Sequence, residues 1–279
     1  MKKFKMDKED LLALLKYAPF VDWKRLIDKY DIPVEEVDCS TISSKRFWLA
    51  ISRYQRLSEP FIEKYKNKLR WKAMSAYQEL SESFIEKYQD KVDWSAISAY
   101  QKLSEQFIER YQDRVDWSCI SACQKLSEEF IEKHKDKVNW VYISGNQKLS
   151  ESFIEKFQDK VDWKVISGSQ RLSEPFIEKY QDRVDWNLIS KCQKLSEPFI
   201  ERYQDKVNWE YISESQELSE QFIEKHQDEV DWYAVSKYQK LSADFVVRHI
   251  DKIKRTIFDN PCYKSYPDTV KLLLETKVQ

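Results

Sequence analysis

The sequence predicts an all-α protein, a right-handed-type α-solenoid of about ten two-helix repeats closed by degenerate N- and C-terminal caps. Three observations carry that expectation. Trp48, Trp71, Trp94, Trp117, Trp140, Trp163, Trp186, Trp209 and Trp232 recur every 23 residues, a period in the range that marks stacked repeats. Glycine is nearly absent, with two residues in 279 where ordinary usage of ~7% would give roughly twenty. Charged residues make up 34% of the chain and aromatic residues 14%, which is the composition of a folded protein with a heavily charged surface.

Residues 1–56 read as an N-terminal capping region. Trp23 stands 25 residues before Trp48, and the Tyr17, Val21 and Asp22 ahead of it match the Tyr88, Val92 and Asp93 ahead of Trp94. The N-terminus is therefore a worn repeat. Residues 33–47 depart from the pattern, with Pro33 and the run Cys39–Ser44 adding two residues to the spacing.

Residues 57–241 form the regular array, and the unit Leu80–Lys102 illustrates it. Ser81 is an N-cap for a first helix, its hydroxyl placed to accept an N–H of the first turn, and Asp93 does the same for a second helix. Phe84, Ile85, Tyr88 and Val92 fall within one arc of helical phase and form the buried stripe. Glu82, Glu86 and Asp90 lie opposite, with Lys87 and Lys91 beside them. Like charges stacked at i,i+4 oppose one another within a helix, so the acidic stripe of one repeat is expected to face the basic stripe of the next. The second helix keeps Trp94, Ile97, Ser98 and Gln101 as its recurring, packing face. Gln55 through Gln239 recur as a ladder whose amides can bond backbone between repeats. At the second-helix cap every regular repeat has Asp or Asn except one, where Arg70 stands.

Residues 242–279 read as a half-repeat and cap. The first-helix pattern returns in Ser242–Ile253, the tryptophan helix does not, and Asn260, Pro261 and Pro267 break the chain before an amphipathic segment, Asp268–Thr276.

Several classes of activity are excluded by what the chain lacks. Phosphate-binding loops, dinucleotide fingerprints and nucleophile elbows need clustered glycines, and Gly145 and Gly168 are isolated. A net charge of −1 withholds the electrostatic attraction that dominates nucleic-acid affinity. His134, His226 and His249 occupy slots that are Tyr65, Tyr88 or Tyr111 in other repeats, which makes them packing aromatics. Cys119 and Cys123 share a helix face at i,i+4, but no histidine or carboxylate is phased to complete a metal site. No catalytic residue, metal or cofactor is expected. Five cysteines without a C-x-x-C pair point to a reduced, cytoplasmic setting. The basic, charge-interrupted N-terminus does not read as a signal peptide, and no segment is apolar for long enough to span a membrane.

Function is then expected where the repeats differ. After each tryptophan the first, second, fifth and sixth positions vary. The fifth reads Arg53, Ala76, Ala99, Ala122, Gly145, Gly168, Lys191, Glu214 and Lys237, a run of small side chains between charged ends. It predicts either a trough on the second-helix surface with both glycines at its floor, or a requirement of close helix packing. The candidate contact residues are Ser95, Ala99, Ser118, Ala122, Gly145, Lys164, Gly168, Lys191, Glu210 and Glu214.

The phrase LSEPFIEKYQDRVDWNLISKCQK, Leu172 to Lys194, resembles short tryptophan-bearing helical repeats of phages, giant viruses and some Firmicutes. The resemblance covers Leu57–Ser242 and brings no catalytic motif with it. It implies a virus-encoded scaffold that engages a host or defence factor in the host cytoplasm. The expected partner is accordingly a protein bound on the variable face. Sequestration of a small molecule or nucleotide, and a structural role in a virion or as a spacer, are the alternatives.

Overall fold

The computed structural model describes residues 4–18 and 20–278. Among them the chain is α-helical apart from one parallel pairing of two-residue strands, Phe4–Lys5 with Tyr30–Asp31. It forms two compact units, Met1–Tyr142 and Ile143–Gln279. Both are stacks of the same helical repeat.

The first unit begins with the worn repeat. Its helix Trp23–Lys29 is capped by Asp22, which accepts the N–H of Arg25 at 3.1 Å. Trp23 Nε1 donates to the carbonyl five residues back, Ala18 O, at 2.8 Å. Trp94 makes the equivalent bond to Gln89 O at 2.9 Å, so the degenerate sequence keeps the repeat's geometry. A 3-10 turn, Val34–Glu36, fills the irregular stretch. From it Glu35 accepts the backbone N–H of Ser58 at 2.6 Å, as Glu59 does from Ser81 one repeat later.

Each regular repeat pairs a six-residue first helix with a seven-residue second helix, as in Glu82–Lys87 and Trp94–Tyr100. Helices this short have no stability of their own in water, and their bonding shows how neighbours supply it. The predicted caps are present: Ser81 Oγ accepts the N–H of Phe84 at 3.2 Å and Asp93 Oδ1 that of Ala96 at 3.0 Å. The first helix is shorter than its apolar stripe. It stops at Lys87, and Tyr88 leaves helical geometry at φ −117° and ψ 27°. The Tyr88 ring is held there against Phe84 and the preceding repeat's Trp71 at centroid distances of 4.8 and 5.0 Å. A single α-turn then carries the stripe on to Val92.

Three ladders join one repeat to the next. Gln101 Nε2 donates to Ser75 O at 2.9 Å and Gln78 O at 2.7 Å, while its Oε1 accepts Leu80 N–H at 3.0 Å. Ser98, fully buried, donates to Trp94 O at 2.7 Å and accepts Asp116 N–H at 2.9 Å. Trp94 lies on Phe107 and Tyr111 of the following repeat at 6.3 and 5.1 Å. The charge stripes also meet as their order predicts, with Arg110 on Glu86 at 3.2 Å and Arg114 on Asp90 at 2.8 Å. Such exposed pairs contribute ~0–1 kcal/mol each, so they select register more than they stabilise.

The second unit repeats these contacts. Gln193 donates to Ser167 O and Gln170 O at 2.9 and 2.7 Å, and Arg183 pairs with Asp159 at 2.8 Å. At its end the tryptophan helix is replaced by a 3-10 helix, Arg255–Asp259, which packs on Trp232–Tyr238 where a second helix would lie. Asn260 takes the glutamine's place, its Nδ2 donating to Ser236 O and Gln239 O at 2.9 Å each. The helix Asp268–Lys277, with Leu274 fully buried, closes the described chain.

Candidate interaction surface

The recurring residues of the second helices are all engaged in packing, which leaves the variable positions to form a surface. In the first unit these positions line a cleft of about 690 Å3. Its floor is the paired small residues Ala73, Ala76, Ala96 and Ala99. Its rim carries Leu49, Tyr77 and Tyr100, and the two tyrosines are 54% and 70% exposed. Helix Lys45–Tyr54 contributes Arg53, whose guanidinium donates to Tyr77 Oη at 3.0 Å and stands 4.9 Å from that ring's centroid. Arg70 and Lys72 complete the lining with Asp93, which Lys72 approaches to 3.9 Å.

Arg70 departs from the repeat at this spot. In the other regular repeats the residue before the tryptophan accepts an N–H of the first turn; Arg70 makes no side-chain cap bond. The loss of a capping side chain costs ~0.5–2 kcal/mol, and a cation at a helix N-terminus opposes the helix dipole. No packing gain offsets this, since the side chain is exposed.

The predicted contact residues separate into groups. Ser95 and Ala99 line this cleft, with Ser95 Oγ also donating to Asp116 Oδ2 at 3.2 Å. The N–H of Cys119 bonds Asp116 and, as the foremost cause, holds its carboxyl below the usual range. Ser118 is exposed and Ala122 half-buried one repeat further on, outside the cleft lining. In the second unit Lys164, Lys191, Glu210 and Glu214 are exposed, Lys191 lying 5.0 Å over the Tyr211 ring.

Gly145 and Gly168 do not floor an open trough. A Cβ on Gly145 would stand 3.0 Å from Val165 Cγ1, and one on Gly168 would meet Leu188 Cδ1 at 3.5 Å. At these two interfaces the fifth position of one repeat faces the second position of the next, and Val165 and Leu188 fill the space that a side chain at Gly145 or Gly168 would take. The small-residue run thus has two causes: packing at the glycines, and open space over the alanines Ala76 and Ala99.

The sequence does not place Leu49, Arg53, Arg70, Lys72, Tyr77 or Tyr100 among the contact residues, although Arg53 and Arg70 stand out in it as a charged fifth position and an odd cap. The signal lay at the sixth position, which reads Tyr54, Tyr77, Tyr100, Cys123, Asn146, Ser169, Cys192, Ser215 and Tyr238. Aromatics that alternate with small polar residues mark a position the core does not constrain. The histidines do pack as aromatics, His134 lying 5.0 Å from Trp117 and 4.5 Å from Phe130. Burial pushes the Cys119 thiol up, away from the thiolate a metal or an electrophile would need. Among the described residues no three His, Cys, Asp or Glu side chains group as metal ligands, and no helix is long and apolar enough to cross a membrane. No protein-family model, curated protein or solved structure matches the chain.

Proposed function

We propose that this protein is a non-enzymatic α-solenoid that binds a partner protein through the second-helix face of its first unit. The observation that supports this is the cleft over Ala76 and Ala99, rimmed by Tyr77 and Tyr100. Tyrosine supplies large contact area at low entropic cost and is enriched where binding energy concentrates. In a protein whose other aromatic rows serve stacking between repeats, two adjacent tyrosines turn their rings to solvent, and Arg53 meets Tyr77 at the cleft rim.

The test is affinity capture with the intact chain, comparing the wild type with a Tyr77→Ala, Tyr100→Ala double variant of unchanged melting temperature. The expected result is a protein captured stoichiometrically by the wild type and lost on the variant. Equal capture by both places the interaction elsewhere. Thermal stabilisation by nucleotides, with no protein captured, replaces the proposal with sequestration of a small ligand.

A further inference from the structure

We infer that the occupant of this cleft is an extended acidic segment of the partner, with carboxylates flanking an apolar or aromatic anchor. The inference rests on the binding face proposed above and adds the chemistry of what lies in it.

Charge accounting within the first unit leads there. The first-helix cations are answered by the repeat before: Lys87 by Glu63, Arg110 by Glu86, Lys133 by Glu109. The cleft cations are not answered in that way. No ion pair engages Arg53 or Arg70 among the described residues, and Lys102, two residues beyond Tyr100, has none either, although Arg56 at the same repeat position pairs with Glu79 at 2.7 Å. The one carboxylate in the lining, Asp93, already accepts the Ala96 N–H at 3.0 Å as a helix cap. Unanswered positive charge therefore collects beside the exposed tyrosines.

The same surface continues toward the N-terminus. A second cleft of about 370 Å3 shares Leu49 and Arg53 with the first and adds Lys24, Arg46, Tyr54 and the 89% exposed Phe20. Its carboxylate, Asp22, is again a helix cap, accepting Arg25 N–H at 3.1 Å. The two clefts together carry five cations and two carboxylates; Asp93 caps its helix through Oδ1 and stands 3.9 Å from Lys72 through Oδ2, while Arg53 and Arg70 have no ion pair among the described residues. They cross five successive second helices, from Trp23–Lys29 to Trp117–Cys123, which Cys119 brings into the lining. Packed helices stand ~8–10 Å apart, so the path runs about 32–40 Å, which extended chain at ~3.3 Å per residue covers in about ten to twelve residues. A peptide lying there puts apolar side chains over the alanine floor, between Leu49 and the tyrosines, and leaves carboxylates to meet Arg53, Arg70 and Lys72. Single-stranded nucleic acid also stacks on aromatics between cations, but a chain of net charge −1 lacks the cation density that backbone neutralisation requires.

The experiment is selection of a random displayed dodecapeptide library on the intact chain. A fluorescein-labelled oligothymidylate is titrated in parallel, and selected peptides are measured by anisotropy. Expected are acidic peptides with one apolar or aromatic anchor. Their affinity should fall about tenfold or more in an Arg53→Glu, Arg70→Glu variant and fall again as salt is raised. That charge-reversed variant should instead select basic peptides, which shows it is folded and still binding. Neutral or basic peptides on the wild type that are lost on Tyr77→Ala, Tyr100→Ala overturn the acidic chemistry and leave the binding face standing. Peptides retained by both variants overturn the face itself. An empty selection, or oligothymidylate bound more tightly than any peptide, overturns an acidic peptide as the occupant.

Discussion

Gly145 and Val165 fit together as complements: the position where Gly145 would carry a Cβ lies 3.0 Å from Val165 Cγ1. Gly168 faces Leu188 in the same relation, with the nearest contact at 3.5 Å. Small residues thus meet large ones across these two repeat interfaces, and the two glycines are set by the neighbours they receive. Neither adopts a positive φ, so backbone conformation is not the reason for either.

The difference between 3.0 and 3.5 Å separates their mutational effects. Alanine at either site gains helix propensity of up to ~1 kcal/mol. Gly168→Ala meets only ordinary contacts and is expected to raise stability by about 0.5–1 kcal/mol. Gly145→Ala forces Val165 to move and is expected to be neutral or destabilising. In a Val165→Ala background the same substitution should become stabilising, and a double-mutant cycle by urea denaturation measures that reversal. Identical effects at both glycines would refute the packing account.

Gln101 ties together three backbone groups at the boundary with the preceding repeat. Its amide serves two carbonyls and one N–H, all in buried surroundings. Gln101→Leu keeps the volume and strands three backbone groups, at a cost of about 3 kcal/mol or more. Gln101→Glu should be worse at neutral pH, because a carboxylate would face the oxygens of Ser75 and Gln78. Chemical denaturation gives the totals, and hydrogen exchange should show Leu80 N–H losing protection. A loss below about 1 kcal/mol for Gln101→Leu would contradict the ladder's importance.

Much of this was legible in the sequence because a repeat compares itself with itself. The cap residues Ser81 and Asp93, the glutamine ladder and the opposed charge stripes all recur, and recurrence at fixed phase leaves few structural meanings. What could not be read was set by singular residues or by contacts between repeats. Asn260 ends the glutamine ladder with a shorter amide on a 3-10 helix, and a single asparagine before a proline carries no periodic signal. Tyr88 breaks the first helix because Trp71 of another repeat fixes its ring, a contact that no local propensity encodes. The sequence places the binding face at the first and fifth positions after each tryptophan, from Ser95 and Ser118 to Gly145 and Gly168. The residues that rim the cleft sit at the sixth position and at the odd cap, Arg70.

His134 makes stability depend on mild acid. Its ring is buried, Nε2 has no partner, and burial lowers its pKa below the ordinary value of about 6.5. Glu109 on the preceding repeat works against that shift, while Lys133 and Lys137 add to it. In the unfolded chain the ring binds a proton at higher pH than in the folded one. Stability from neutral His134 is therefore complete above about pH 6.5 and is lost as pH falls from there toward the lower folded value. His134→Tyr installs the residue that fills this slot as Tyr111 one repeat earlier. Denaturation at pH 7 and pH 5 should show a drop in the wild type that is smaller in the variant. Equal drops would assign the acid sensitivity to other groups.

Arg70 offers the sharpest separation of folding from binding. Its neighbours Asp93 and Asp116 cap their helices through Ala96 N–H and Cys119 N–H at 3.0 and 3.1 Å, so Arg70→Asp restores what the repeat supplies elsewhere. A gained cap and a favourable charge at the helix start should add about 1 kcal/mol. The same change removes a cation from the cleft and adds an anion, so affinity for acidic peptides should fall by about tenfold. Higher stability with weaker binding is the signature of a residue kept against the fold's own preference. Higher stability with unchanged binding would make Arg70 an accident of one repeat. Lower stability would mean that its side chain has a structural partner after all. Thermal denaturation and anisotropy on the same preparation distinguish the three.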